Sequence, residues 1–483
     1  MQKTQIKFGT DGWRGVIADD FTFENVRRVA QATADNWNSL VGAHRAAIVG
    51  YDNRFLSETY AKLVCEVLAA NGFKALYPPT STPTPAVTFA VRDRKLCGAV
   101  MITASHNPPQ FNGYKLKAHY AGPADPEICE NIEAQVDQSP VRSINFDEAV
   151  KNGSIAIYDP RPAHVAAVKK IVDLKRISGA KLSVVIDSMH GSGGTLLEDM
   201  LSAGGGARPT TSGRVQTIRA GRDVYFGGVN PEPIEKNLGA LCDAVKKSRA
   251  NIGLATDGDA DRMGVVDEKG RYVSIQLVIA MLLLHLLRNR GQKTGLVVKS
   301  TNCTVLLDRI CRAHGLKCVE VPVGFKYICE QMRERDVLIG AEESGGIGFQ
   351  GHIPERDGIV GNLMLLEMLA VMKKPLSEIA RDLQKEFGVS EYDRIDMRFP
   401  LEKREQFIKT LRSQPSKNLV DVPLARMNDS DGVKYIAKDD SWLMFRTSGT
   451  EPIIRIYSEA ANTARVKKLL EYGKSLALRN AAL

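Results

Sequence analysis

Apolar and polar positions along the first 150 residues fall into two recurring periods. FENVRRVAQATADNW has helical spacing, AAIVGYD is an apolar run of strand length, SETYAKLVCEVLAANG is helical and closes on Gly72, and FKALYPP is a second strand. This alternation predicts an α/β layer. A later run, CGAVMI from Cys97 to Ile102, reads as a buried strand that stops where Ser105, His106 and Asn107 begin. Pro108 and Pro109 forbid its continuation, and Asn112-Gly113 is a turn signal that folds Lys115 back toward Ser105. The pattern thus predicts a loop that holds a hydroxyl at the edge of a sheet.

After a polar stretch from Asp137 to Pro162 the same grammar returns. VAAVKKIVDLKRI predicts a helix, KLSVVID a strand, MHGSGG a turn and LLEDMLSAGG a helix; a third round follows with TGLVVKS, TVLLDRICRAHG and KCVEVPV. AIVGYDNR, SVVIDSMHG and LVVKSTNCT each put small polar residues between a strand and a helix, as tandem units of one architecture would. From about Ser390 the chain turns strand-rich and ends in the helix TARVKKLLEYGKSLALRN. The expected organisation is three related α/β domains, each a mixed sheet between helices, at 1–150, 151–270 and 271–387, with a smaller α+β domain at 388–483.

A length of 483 residues is too great for one core. With 43% hydrophobic and 25% charged residues, extended disorder is excluded. The net charge of +9 is scattered rather than gathered into a tail or an aromatic-interleaved patch, which argues against nucleic acid as the partner and suits an anionic small molecule. The eight cysteines contain no C-x-x-C pair and read as free core thiols of a reducing compartment. The longest apolar stretch, VIAMLLLHLL, is too short to cross a membrane, and MQKTQIKFGTDGWRG lacks the apolar core of a signal peptide. A cytoplasmic protein with no membrane partner is expected.

Four stretches carry chemistry. Beside the Ser105 loop, GTDGWRG (Gly9–Gly15) presents Arg14 to a possible anion. DGDADR follows the apolar strand IGLAT, and its carboxylates Asp257, Asp259 and Asp261 cannot crowd together at neutral pH without a cation. Magnesium, a hard ion that favours oxygen ligands, is the natural choice; a helix-loop-helix calcium site would need glycine where Arg262 stands. GFKYI (Gly324–Ile328) and GAEESGGIGF (Gly340–Phe349) each follow a predicted strand and offer groups suited to sugar hydroxyls. RTSGTEPIIRIY, from Arg446, can line a pocket for phosphate oxygens, and no Walker or dinucleotide fingerprint occurs. Taken singly, each of these stretches is also an ordinary solvated turn.

In this order, TASHNPP, DGDADR, GAEESGG and RTSGTEP closely resemble the α-D-phosphohexomutases, and the resemblance runs from FGTDGWRG to RTSGTEPIIRIY. It implies four domains around a central cleft and a phosphoserine at Ser105, which donates to a hexose phosphate and forms a hexose 1,6-bisphosphate as intermediate and activator. Asp257, Asp259 and Asp261 would bind Mg2+ together with an oxygen on Ser105. Arg14, His106, Lys115 and Arg262 would surround the transferring group, with Lys115 the favoured proton carrier. Glu342 and Ser344 would read the sugar, Lys326 would reach sugar or phosphate, and Arg446, Ser448, Gly449 and Thr450 would hold the distal phosphate.

Within that family GAEESGG with PVGFK looks like the phosphoglucomutase and phosphomannomutase branch, and the paired Glu342-Glu343 leans toward glucose. Ala341 and Gly346 depart from the pattern, the latter where enzymes using both mannose and glucose carry histidine. A phosphoglucosamine mutase, a bisphosphate synthase and a non-catalytic sugar-phosphate sensor remain as alternatives. A monomer or homodimer is expected.

Overall fold

The computed structural model describes residues 4–9, 11–40, 45–203, 215–447 and 452–482. Its contacts divide the chain into two units. The first comprises Met1–Val273, Cys329–Asp336 and Ser344–Ser377; the second comprises Ser274–Ile328, Val337–Glu343 and Glu378–Leu483.

In the first unit two sheets follow one plan. The strand Ala46–Tyr51 lies between Lys74–Tyr77 and Gly98–Ile102, parallel to both, and Phe111–Ala118 pairs antiparallel with Gly98–Ile102. In the second sheet Val184–Asp187 lies between Val215–Ile218 and Ile252–Thr256, parallel to both, and Met263–Val266 pairs antiparallel with Ile252–Thr256. The second unit repeats the parallel part, with Leu296–Ser300 between Cys318–Val321 and Val337–Ala341. The tandem grammar of the sequence is therefore a threefold repeat of one topology. It puts three turns at equivalent places, each just after the third strand of its repeat: the Ser105 loop, DGDADR and EESGG.

The first sheet reaches beyond residue 150, taking Ile155–Ile157 alongside Lys74–Tyr77. VAAVKKIVDLKRI, expected as one helix, is two, Arg161–Ile171 and Leu174–Gly179. Asp173 divides them: its carboxylate accepts the Arg176 N–H at 3.0 Å and starts a new helix. VIAMLLLHLL is buried, as Ile275–Leu284 with a wider turn at His285–Asn289. All eight cysteines are free thiols, five of them buried. Among the described residues no helix is long and apolar enough to cross a membrane.

In the remainder of the second unit an antiparallel sheet runs in the order Glu391–Arg398, Ile453–Ala460, Trp442–Thr447, Val433–Ala437, Val422–Asn428, Asn418–Leu419. The helix Thr463–Ala482 packs Val466, Leu469, Leu470 and Ala477 into its core. The buried Glu459 carboxylate accepts Trp442 Nε1–H at 2.6 Å, the Val305 N–H at 3.0 Å and hydroxyls from Thr304 and Ser390, so it ties this sheet to the loop after Leu296–Ser300.

A buried cluster in the first unit fixes the helix Gly358–Met372. Asp357 caps it, accepting the Ile359 and Val360 N–H groups at 2.9 and 3.1 Å through Oδ1. Asp357 Oδ2 lies 2.6 Å from His164 Nε2 and 2.9 Å from His352 Nε2. Neither Nδ1 has a partner. A metal-bound imidazole donates its other N–H to an acceptor, so this cluster is built as a hydrogen-bonded pin in which two Nε2–H groups serve one carboxylate. Asp357→Ala is expected to cost about 3–5 kcal/mol, because it strands four buried donors. Burial holds His352 below its ordinary pKa, partly offset by Asp357; His164 and Arg92 also face it and lower it further. Below the ordinary histidine value of about 6.5 the unfolded chain therefore binds more protons than the folded one. The melting temperature should fall as pH drops from 7.5 to 5, and more steeply in Asp357→Ala, which lacks the offsetting carboxylate. A flat profile in the wild type would contradict the pin.

Candidate functional site

The strand Gly98–Ile102 delivers Thr103 and Ser105 to a fully buried position. Ser105 has φ +53°, a left-handed conformation that costs a non-glycine residue about 1–2 kcal/mol and must be held by its surroundings. Its N–H donates to Thr103 Oγ1 at 2.8 Å, and its carbonyl accepts Arg54 Nη2–H at 2.7 Å. Its hydroxyl points away from the strand and donates to Asp257 Oδ2 at 2.8 Å, with His106 Nδ1 at 3.4 Å. Gly258 is what lets the two loops close up: a Cβ there would lie 2.4 Å from the Ser105 carbonyl oxygen.

Asp257, Asp259 and Asp261 are all buried, and one oxygen from each lies within 4.8 Å of the others. Asp259 Oδ2 accepts Thr84 Oγ1–H at 2.6 Å and Lys115 Nζ at 2.8 Å; Asp261 Oδ2 accepts Lys115 Nζ at 3.2 Å and Arg356 Nε at 2.8 Å. Asp259 Oδ1 and Asp261 Oδ1 have no hydrogen-bond partner. An all-oxygen donor set with two orphaned buried oxygens fits a hard divalent cation. Burial, and then the like charges of Asp261 and Asp259, push Asp257 well above the ordinary carboxylate pKa, a crowding that a bound cation relieves.

Cations gather around the serine. Lys115 Nζ also contacts Asp11 at 2.9 Å, and Arg356 pairs with both Asp11 and Asp261. Burial opposes the Lys115 charge, but Asp11, Asp259 and Asp261 outweigh it and hold the ammonium firmly protonated. In this state Lys115 is a fixed positive charge beside the serine. Arg14 donates to Asn107 Oδ1 at 2.5 Å, and the backbone N–H of Arg262 donates to Asp257 Oδ1 at 3.1 Å. Burial, followed by the charges of Arg262, Arg14, Lys115 and Arg54, holds His106 well below the ordinary histidine pKa, so its imidazole is neutral.

The structure thus brings Ser105, His106, Lys115, Arg14, Arg262 and the three aspartates together in the first unit. Ser344 belongs to the same unit, half-buried in the middle of EESGG. Lys326, Glu342 and Arg446 belong to the second unit. There Arg446 Nε donates to Asp431 Oδ2 at 2.9 Å, and that oxygen also accepts the Val323 N–H at 2.8 Å, which joins Arg446 to the loop that leads into Lys326. Glu342 is buried beside Glu343, whose carboxylate accepts Tyr392 OH at 2.7 Å and Asn302 Nδ2–H at 3.3 Å. Ser448, Gly449 and Thr450 lie outside the described residues.

Four successive matches cover most of the chain: phosphoglucomutase/phosphomannomutase alpha/beta/alpha domain I over residues 5–142, domain II over 162–270, domain III over 276–387 and the C-terminal domain over 403–472. A phosphoglucomutase/phosphomannomutase of Thermococcus kodakarensis is 30% identical over 97% of this chain and 98% of its own. The chain belongs to the α-D-phosphohexomutase superfamily. A crystal structure of a protein assigned as a phosphomannomutase, from Thermus thermophilus, superposes with a TM-score of 0.86 at 36% identity, covering 98% of this chain and 99% of that one. A protein assigned as a phosphoglucosamine mutase, from Thermococcus gammatolerans, is 28% identical over 97% of each chain. Superfamily membership makes the chain a mutase, a phosphotransferase, with the sugar left open among these relatives.

Four site residues escaped the sequence reading. Asp11 and Arg356 stand 345 residues apart yet meet beside Lys115. The signal for Arg356 was HIPERDG, a charged run wedged between a proline and a largely apolar helix. Asp52 and Arg54 lie in YDNR, which reads only as a strand that ends in polar residues.

Proposed function

We propose that this superfamily member interconverts hexose 1-phosphate and hexose 6-phosphate through a phosphoserine at Ser105, with glucose favoured over mannose. The observation that supports it most is the Ser105 hydroxyl, 2.8 Å from a buried carboxylate of a three-aspartate cluster and ringed by Arg14, His106, Lys115 and Arg262. Phosphoryl transfer asks little covalent work of a protein and much charge neutralisation.

In the forward half-reaction the sugar hydroxyl oxygen bonds to phosphorus as the bond from Ser105 Oγ to phosphorus breaks. The hydroxyl proton leaves to a base, the serine oxygen gains a proton, and the product is a hexose 1,6-bisphosphate. The reverse half-reaction returns the other phosphate to Ser105. Lys115 is assigned as the proton carrier, and the His106 imidazole stands 3.4 Å from Oγ. Asp257, Asp259 and Asp261 would hold Mg2+, whose charge, when bound, offsets that of the phosphoryl oxygens. Glu342, Ser344 and Lys326 are assigned to the sugar, and Arg446 with Ser448, Gly449 and Thr450 to the distal phosphate.

The test is phosphorus NMR of the protein with Mg2+ and glucose 1-phosphate, with and without a trace of glucose 1,6-bisphosphate. Conversion to glucose 6-phosphate, abolished by a chelator and restored by Mg2+, is the expected result. Accumulated bisphosphate would make the protein a synthase. No reaction with glucose, but turnover of glucosamine phosphate, would move it to the branch of its Thermococcus gammatolerans relative.

A further inference from the structure

The three repeats share more than strand order. In each, the loop after the first strand supports the turn after the third. In the third repeat Asn302 donates to Glu343 at 3.3 Å, and in the second the Ser192 N–H donates to the Gly258 carbonyl at 2.9 Å. In the first repeat the support is densest. Arg54, fully buried, spreads one guanidinium over four backbone carbonyls of the serine loop: Ser105 at 2.7 Å, Asn107 at 2.6 Å, Pro108 at 2.8 Å and Phe111 at 3.0 Å. Its Nε lies 3.2 Å from Asp52 Oδ2, the same oxygen that accepts the Thr103 hydroxyl at 2.6 Å. Thr103 Oγ1 in turn accepts the N–H of Ser105.

Both peptide groups that flank the Ser105 Cα are therefore held by side chains that hang on one carboxylate. Asp52 is itself fixed from below, since it accepts the Ser57 hydroxyl at 2.8 Å and the Arg54 N–H at 3.0 Å. We propose that Arg54, anchored by Asp52, is the positioning residue for the phosphoryl-carrying serine: it holds Ser105 in its left-handed conformation so that Oγ, and not the backbone, faces Asp257 and the cations. Arg54 touches no reacting atom. Its planar fork can reach four carbonyls at once, which the compact ammonium of lysine cannot. The inference rests on Ser105 being the phosphorylated group.

Arg54→Lys and Arg54→Ala, loaded with phosphate on Ser105, should transfer it to glucose 1-phosphate about 10²-fold more slowly than wild type, as expected for a displaced reacting atom, while KM stays within about threefold. Guanidinium ion at non-denaturing concentration should restore at least tenfold of the loss in Arg54→Ala and none in Arg54→Lys. A folded Arg54→Lys protein that transfers at the wild-type rate would overturn the proposal, as would a loss confined to KM or to melting temperature. Should Arg54→Ala fail to fold, Arg54→Lys decides alone. Absence of phosphate on Ser105 in active wild type would instead sink the phosphoserine reading.

Discussion

Ser105→Ala is expected to lower mutase turnover by at least about 10⁴-fold while leaving the fold intact, because a covalent route is lost when its nucleophile is removed. The Ser105 hydroxyl makes one short hydrogen bond, to Asp257, and a longer contact to His106; nothing else in the loop depends on it. Its N–H and carbonyl stay tied to Thr103 and Arg54, so alanine inherits the same backbone and about the same strain. The measurement pairs coupled-assay kinetics with the phosphorus signal of the purified protein. Turnover and any phosphoserine resonance should vanish together, with the melting temperature nearly unchanged. Near-normal turnover in the variant would end the phosphoserine mechanism. A conversion that survives at wild-type rate without a covalent signal would point to direct transfer between two bound sugars.

How much of this site could be read from the chain depends on distance along it. Ser105, His106 and Lys115 flank a single turn, and the three aspartates occupy alternate positions, so spacing alone exposes the nucleophile loop and the cation site. The helix and strand periods likewise announce the three repeats, because each repeat alternates short apolar strands with helices. Arg54 was hidden for the opposite reason. A buried guanidinium spent mainly on backbone carbonyls leaves no complementary side-chain pattern to find, and YDNR reads like any polar strand end. Asp11 and Arg356 were hidden by their separation, since no local rule pairs residues that meet only after folding. The break at Asp173 shows how far periodicity can go: helical spacing persists through VAAVKKIVDLKRI, but a capping carboxylate overrides it.

The equivalent placing of the Ser105 loop, DGDADR and EESGG also explains how one architecture carries three chemistries. A turn after the third strand stands next to the end of the parallel first strand, so its side chains project from a rigid base. The first repeat uses that base for a nucleophile and the second for carboxylates, and the proposal gives the third to the sugar. What differs between them is the support from the neighbouring loop, heaviest under Ser105, where a non-glycine residue must be kept left-handed.

Lys115→Met should strongly destabilise the resting protein. The ammonium is buried and lies within 3.2 Å of Asp11, Asp259 and Asp261. Methionine fills the space with an unbranched chain but removes a cation that bridges all three carboxylates, while Arg356 still pairs with Asp11 and Asp261. Removing one partner of a buried ionic cluster costs about 3–5 kcal/mol, far more than an exposed pair would. Turnover should drop by at least about 10²-fold as well, the scale of a lost proton donor and fixed charge. The second readout separates the two roles. Because Asp259 and Asp261 lose the ammonium they share, Mg2+ should raise the melting temperature of Lys115→Met by more than it raises that of wild type, while turnover stays low. A variant as stable as wild type without Mg2+ would show that the lysine does not neutralise the cluster. A variant that recovers wild-type turnover with Mg2+ would show that Lys115 only stands in for the metal and takes no part in the transfer.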